Sequence, residues 1–257
     1  MLAAAAVVAA VLVAGITSRD DVVDVAPADD PALAPTSTPT TTTPPPTGPS
    51  ARAQDAARRW VQGVRAGDVD AGWAMLGPQS RDSIGGRAAF EDLMASALPE
   101  AWGPWASAEG LVLSAVPLAP PEEVWLVTFT GAMAQESGPR RQALPLAVRV
   151  TGGATVVEPF VPGPALDLIG LRPEPDGSPD VARGAPIGVR VDADAAAFVV
   201  AIDGRAVPGS SLERDGEGTV VSVRPEPPLP RGDHTITVGF MTPSGSIAAH
   251  AVAFRAG

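Results

Sequence analysis

The 257-residue chain reads as an α+β domain followed by an all-β domain, behind an N-terminal apolar segment. Three observations predict this order. After residue 50 apolar residues recur at helical spacing, and they give way to alternating strand patterns near residue 110. From residue 187 onward, short alternating runs are separated by turn pairs. Ahead of both, MLAAAAVVAAVLVAGI forms an uncharged apolar run, closely followed by a Thr/Pro tract. The expected organisation is a transmembrane anchor or signal segment at 1–18, a disordered stalk at 19–50, the α+β domain at 51–162 and a β-sandwich at 163–257.

A spanning helix needs about 20 apolar residues, with a lower limit near 17. Leu2 to Ser18 meets that limit. The run is read as an uncleaved membrane anchor with everything after it extracytoplasmic. The alternative is secretion after signal cleavage, since Val13 and Gly15 are small enough for a peptidase site. Leu12-Val13-Ala14-Gly15-Ile16 resembles a lipobox, but Ile stands where the lipidated Cys must be, which excludes a lipoprotein. Met1 leads directly into Leu2 with no basic n-region, so a natural start further upstream is also expected as an alternative.

The tract from Ala26 to Ser50, APADDPALAPTSTPTTTTPPPTGPS, carries no hydrophobic periodicity, and its prolines favour extended segments. About 20 such residues at roughly 3.1 Å each would hold a domain up to about 60 Å from the bilayer.

Net charge is −11, and it is spread: residues 51–160 hold nine Arg against twelve carboxylates, and residues 161–257 hold eight against twelve. An acidic surface throughout repels phosphate backbones, so nucleic acid is excluded as a partner. Lys, Asn, Tyr and Cys are all absent, a bias expected of a high-GC bacterial genome. Without Cys there is no disulfide, thiol nucleophile or Cys-ligated metal.

In the α+β domain, Ala53, Ala56, Ala57, Trp60, Val61 and Val64 make one apolar helical stripe. Gly67 stops that helix, and Asp68 is placed to cap a second with Val69, Trp73 and Leu76 inward. A third carries Phe90, Leu93, Met94 and Ala97. Strand patterns follow: Trp125, Val127 and Phe129 alternate with Leu126, Thr128 and Thr130. Leu144, Leu146, Val148 and Val150 then alternate with Ala147 and Arg149 facing outward, and Gly152-Gly153 turns into a last strand from Thr155 to Phe160. Helices first and then an antiparallel meander imply helices packed on one face of a sheet.

The stretch DAARRWVQGVRAGDVDAGWAMLGPQSRDSI, then Phe90 and Leu93, VWLVTFTG and ALPLAVRVTGG, resembles the nuclear transport factor 2-like superfamily over about residues 51–160. The resemblance implies a curved sheet forming a cone, and in the superfamily's enzymes an Asp, His or Tyr doing proton transfer. This stretch has no His or Tyr. Its carboxylates sit at helix starts (Asp68, Asp70), strand edges (Glu122, Glu123) and a hairpin (Glu136), leaving Glu158 as the pocket carboxylate. A lone Glu lacks the paired environments that tune an acid and a base apart, so no catalytic residue is assigned. The candidate ligand-binding set is Trp60, Trp73, Trp102, Trp105, Trp125, Phe129 and Glu158. Trp60 and Trp73 lie on core stripes, whereas Trp102 and Trp105 bracket Gly103-Pro104 in a loop and are the better binding rim.

In the all-β domain the strands are marked by Ile187, Val189 and Val191; Phe198, Val200 and Ile202; Val221 and Val223; Ile236, Val238 and Phe240; and Val252 and Phe254. Turns fall at Asp203-Gly204, Asp215-Gly216, Arg231-Gly232 and Ser244-Gly245. RPEPDGSPDVARGAPIGVRV, AIDGRAV, LPRGDHTITVGF and SIAAHAVAFRA resemble bacterial immunoglobulin-like domains of envelope proteins, which implies a spacer or a protein-contact surface. Arg231-Gly232-Asp233 is read as a turn into a strand. His250 is expected to pair near Thr237 or Val238, which puts His234 four positions, about 13 Å, too far away to share a metal. Asp192, Asp194 and Asp203 lack the Gly-spaced ligand series of a calcium loop.

No phosphate loop, GxSxG elbow, HExxH helix or Ser-Lys dyad occurs in the chain. The expectation is a non-enzymatic, membrane-tethered envelope protein without a cofactor or metal, contacting a protein or cell-wall partner. The alternative is a sensor or carrier of a small apolar ligand in the cone, and an enzyme using Glu158 ranks third.

Overall fold

The computed structural model describes residues 48–119, 124–134, 139–159, 166–169, 172–173, 179–182, 184–191, 196–207, 211–215, 218–243 and 245–257. The anchor, the stalk up to residue 47, Glu122, Glu123, Glu136, Phe160, the boundary near 163, Asp192 and Asp194 lie outside these residues. Among the described residues, no helix is long and apolar enough to cross a membrane.

Helices come first and sheets follow, an α+β arrangement and then an all-β one. Helix α1 (Pro49–Ala66) begins with Pro in its first turn and ends at Gly67, whose left-handed φ of 68° closes the helix. Its buried face is the predicted stripe, from Ala53 to Val64. Asp68 caps α2 (Val69–Met75) by accepting from the Ala71 N–H at 3.0 Å.

Helix α3 (Pro78–Ile84) is bounded by Gly77 before its N1 proline and by left-handed Gly85 after it. Helix α4 (Arg87–Met94) buries Phe90 and Met94. Helix α5 (Ala97–Trp102) and a 3₁₀ turn (Gly103–Ala106) replace the loop expected around Trp102 and Trp105. Their prolines fall in first turns, where the missing N–H leaves no bond unmade.

Strands β1 (Glu109–Ala119), β2 (Val124–Met133), β3 (Arg140–Thr151) and β4 (Ala154–Glu158) form an antiparallel meander in sequence order. Helix α1 packs against all four strands on one face. Trp60, Phe90, Leu98, Trp105, Val127, Phe129, Leu146 and Val148 meet there in a continuous core. Strand β4 pairs with β3 only from Ala147 to Thr151, and Pro145 falls in the stretch beyond its reach. Pro117 likewise lies in β1, at the edge of the sheet. Both prolines sit where a strand needs no ladder donor.

The all-β half contains β5 (Leu166–Ile169), β6 (Arg172–Pro173), β7 (Pro179–Val181), β8 (Ile187–Val191), β9 (Ala197–Ile202), β10 (Arg205–Ala206), β11 (Ser211–Asp215), β12 (Gly218–Val223), β13 (Gly232–Met241) and β14 (Ile247–Ala256). They form two sheets, ordered β10-β9-β13-β14-β7-β6 and β11-β12-β8-β5. All pairings are antiparallel except β14 with β7. Ile187, Val221 and Val223 from one sheet share a core with Val200, Ile236, Val238, Phe240 and Phe254 from the other. Val238 pairs with His250 and His234 with Phe254, the register expected from the hairpin turn.

The two halves are joined face to face. The side of the meander that carries no helices packs on β9, β13 and β14. Val116, Leu118, Val124, Leu126 and Ala147 meet Ala201 and Ile247 in a third apolar cluster. Strand alternation separates the two faces of β2 and β3 correctly, but the face given to Ala147 and Arg149 is not solvent: Ala147 is buried beneath the all-β half. The layers therefore run helices, meander, six-stranded sheet, four-stranded sheet.

Candidate functional site

The aromatic candidates are brought together, and they are packed on one another. Trp60 tilts against Phe90 at 6.1 Å between ring centroids and meets Trp102 edge-on at 6.4 Å. Phe129 receives Trp102 and Trp105 edge-on at 6.3 and 6.2 Å. These separations and angles are those of favourable aromatic pairs. The loop expected around Trp102 and Trp105 is helical, and both indoles are buried, only 6% and 5% exposed. Helical geometry turns both indoles inward, since α5 and the 3₁₀ turn lie over the sheet. Trp125 is also buried in this core. Trp73 is half-buried against Phe90 at 5.6 Å, and the Arg81 guanidinium lies over its ring at 5.2 Å. The same guanidinium donates from Nη2 to the Trp73 and Ala74 carbonyls, tying α3 to the end of α2.

Glu158 lies apart from the rings, at the end of β4, with its side chain fully enclosed. Its Oε2 accepts from the Ser80 backbone N–H at 2.8 Å, in the first turn of α3. Its Oε1 faces Arg149 Nε at 3.5 Å. An unpartnered carboxylate is costly to bury, and these partners offset that cost. Space for the carboxylate exists because residue 77 is glycine: a Cβ there would stand 2.0 Å from Glu158 Oε1. The chain beside it is held by the Gly77 N–H, which donates to the Val157 carbonyl at 2.8 Å.

Arg149 and Gln79 reach from this corner to the all-β half. Gln79 Nε2 donates to the Gly245 carbonyl at 2.6 Å, and Arg149 Nη2 donates to the same oxygen at 3.3 Å. Gly245 lies in the β13–β14 turn with φ at 82°. Sequence reasoning singled out Glu158 but missed Gly77, Gln79, Ser80, Arg149 and Gly245. The Gly-Pro step at 77–78, a helix-start signal, was the available sign that Gln79 and Ser80 stand in a first turn.

A second polar group occupies the opposite side of the junction. Asp203 and Gly204, with φ of 49° and 74°, form the two-residue turn between β9 and β10. Asp203 Oδ1 accepts from the Thr235 N–H at 2.9 Å, and Oδ2 meets His234 Nδ1 at 2.6 Å. His234 Nε2 lies 2.9 Å from the Pro230 carbonyl, and the ring packs against Phe254. Both ring nitrogens therefore face acceptors, a carboxylate oxygen on one side and a carbonyl oxygen on the other. A Cβ on Gly204 would stand 2.3 Å from the Ser114 side chain of β1, so the turn abuts the meander here. The Arg231-Gly232-Asp233 tripeptide opens β13, and Asp233 pairs with Arg255 at 3.2 Å. Among the described residues no group of three or more His, Asp or Glu side chains is placed to hold a metal ion.

No family model and no curated protein matches this chain. Among solved structures, CopC from Methylosinus trichosporium OB3b is similar over 36% of this chain and 93% of its own, at 17% identity and a TM-score of 0.27, a level that identifies neither fold nor ligand.

Proposed function

We propose that the chain is a non-enzymatic, membrane-tethered extracytoplasmic protein whose two halves present surfaces to a protein or cell-wall partner. Residues 51–162 are read as a nuclear transport factor 2-like domain and residues 163–257 as an immunoglobulin-like sandwich. The helix-then-meander order and the paired sheets of the all-β half support that reading. Tethering rests on the apolar run from Leu2 to Ser18 and the Thr/Pro tract behind it.

One observation carries the non-enzymatic part. Glu158, the carboxylate that sequence singles out for chemistry, is enclosed and engaged by Ser80 and Arg149 at a structural corner. A side chain enclosed this way has no access to a substrate. The aromatic candidates likewise spend their faces on each other, and a small apolar ligand would have to displace them.

The test is to express the full chain in a high-GC bacterium, fractionate the cells, and crosslink intact cells before purification. Recovery in the membrane fraction, protease accessibility from outside, and a reproducible envelope partner are expected. A cytosolic location, or no partner above the background of an unrelated tethered control, would overturn the reading.

A further inference from the structure

We infer that Glu158 is a positioning residue for the junction between the two halves: it holds Arg149 and the first turn of α3 so that both reach the β13–β14 turn. This goes beyond the proposed function and does not depend on it.

Two donors from different elements, Gln79 Nε2 and Arg149 Nη2, converge on one acceptor, the Gly245 carbonyl. Both donors belong to the helix-bearing half, and the acceptor belongs to the all-β half. Glu158 touches the supports of both. Its Oε2 fixes the N–H of Ser80, the residue next to Gln79, and its Oε1 faces the Nε of the same Arg149. The turn is itself preformed, since the Thr242 N–H donates to the Ser246 carbonyl at 2.8 Å and Thr242 Oγ1 accepts from the Ser246 N–H at 3.1 Å. One enclosed carboxylate therefore organises every hydrogen bond described between this corner and the hairpin.

Two acceptor oxygens are needed as well as the shape. A glutamine at 158 offers one carbonyl oxygen and one NH2. Whichever way it turns, its NH2 faces either the Ser80 N–H or the Arg149 guanidinium, and both of those are donors. Gly77 gives a second route to the same group, because a Cβ at that position would displace the carboxylate.

Hydrogen exchange and calorimetry on the full chain test the inference. In Glu158→Gln, amides of α3 and of the β13–β14 turn are expected to exchange faster together, by at least about tenfold. The unmodified chain is expected to unfold in a single thermal transition, which should split or broaden in the variant. Gln79→Ala, which removes one donor and leaves Glu158 in place, is expected to speed the turn by about threefold with α3 protection intact. Faster exchange in α3 and β4 alone, with the turn and the transition unchanged, would make Glu158 a local strut and overturn the inference. If Glu158→Gln does not fold, Gln79→Ala decides, and an unchanged turn then overturns it.

Discussion

The helix-facing side of β2 carries Trp125, Val127 and Phe129, whereas the opposite side carries Leu126, Thr128 and Thr130. Both sides are buried, but they are sealed by different chemistry. Toward the helices the contact is made by large aromatic rings that interlock by shape. Toward the all-β half it is made by aliphatic side chains interleaved with threonines. Thr128 Oγ1 meets Thr237 Oγ1 at 2.8 Å, Thr130 faces Thr235 at 3.4 Å, and Leu126 seats over Gly239, where a Cβ would stand 1.9 Å from its Cδ1. Apolar burial stabilises in proportion to area but gives little register, whereas a hydroxyl pair and a notch each specify one alignment. The first face supplies stability, and the second supplies stability together with a fixed mutual position.

That contrast can be broken in graded steps. Trp60→Ala, in the interlocked face, should cost about 3–5 kcal/mol in denaturant unfolding, since it leaves a cavity among rigid rings. Leu126→Ala should cost about 2–4 kcal/mol in the same assay. It should also loosen exchange protection in β13 as well as β2, which Trp60→Ala should not do first. Gly239→Ala forces a methyl into Leu126 and should cost about 1–3 kcal/mol. Combining it with Leu126→Ala should recover most of that cost, and simple additivity in this double-mutant cycle would contradict the notch.

The hydroxyl pair predicts an asymmetry. Thr128→Val alone strands the Thr237 hydroxyl and should cost about 1–2 kcal/mol, whereas Thr128→Val with Thr237→Val should return close to the starting stability. Equal losses in the single and double variants would remove the hydroxyl bond as a register device. Smallest of all, Arg59→Ala breaks an exposed pair with Asp55 on α1 and should shift stability by less than about 0.5 kcal/mol.

Much of the fold was legible because its signals are local. The stripe of α1, the Asp68 cap, the Gly67 stop and the hairpin register that places His250 opposite Val238 each follow from spacing within a few residues. Helix α5 and the 3₁₀ turn were harder, because the Gly103-Pro104 step reads as a loop until the proline is recognised as a first-turn residue. The junction was not legible. Alternation reports two faces but not what covers the second, and Leu126, Thr128, Ala147 and Arg149 form a pattern that solvent and a partner sheet would both accept. Glu158 stood out as a carboxylate at a strand end. Its actual neighbours come from sequence positions far away, and only the folded chain brings Ser80 and Gly245 to that corner.

Gly239 also has a genetic consequence. Every single-base change in a glycine codon that alters the residue introduces a larger side chain or a stop. The position therefore has no gentle route of drift while Leu126 remains opposite it. A compensating change must arise in the other half of the chain, more than a hundred residues away in sequence. The two halves are thus coupled as inherited text, and a lineage that exchanged either one for an unrelated module would have to rewrite both sides of this contact at once.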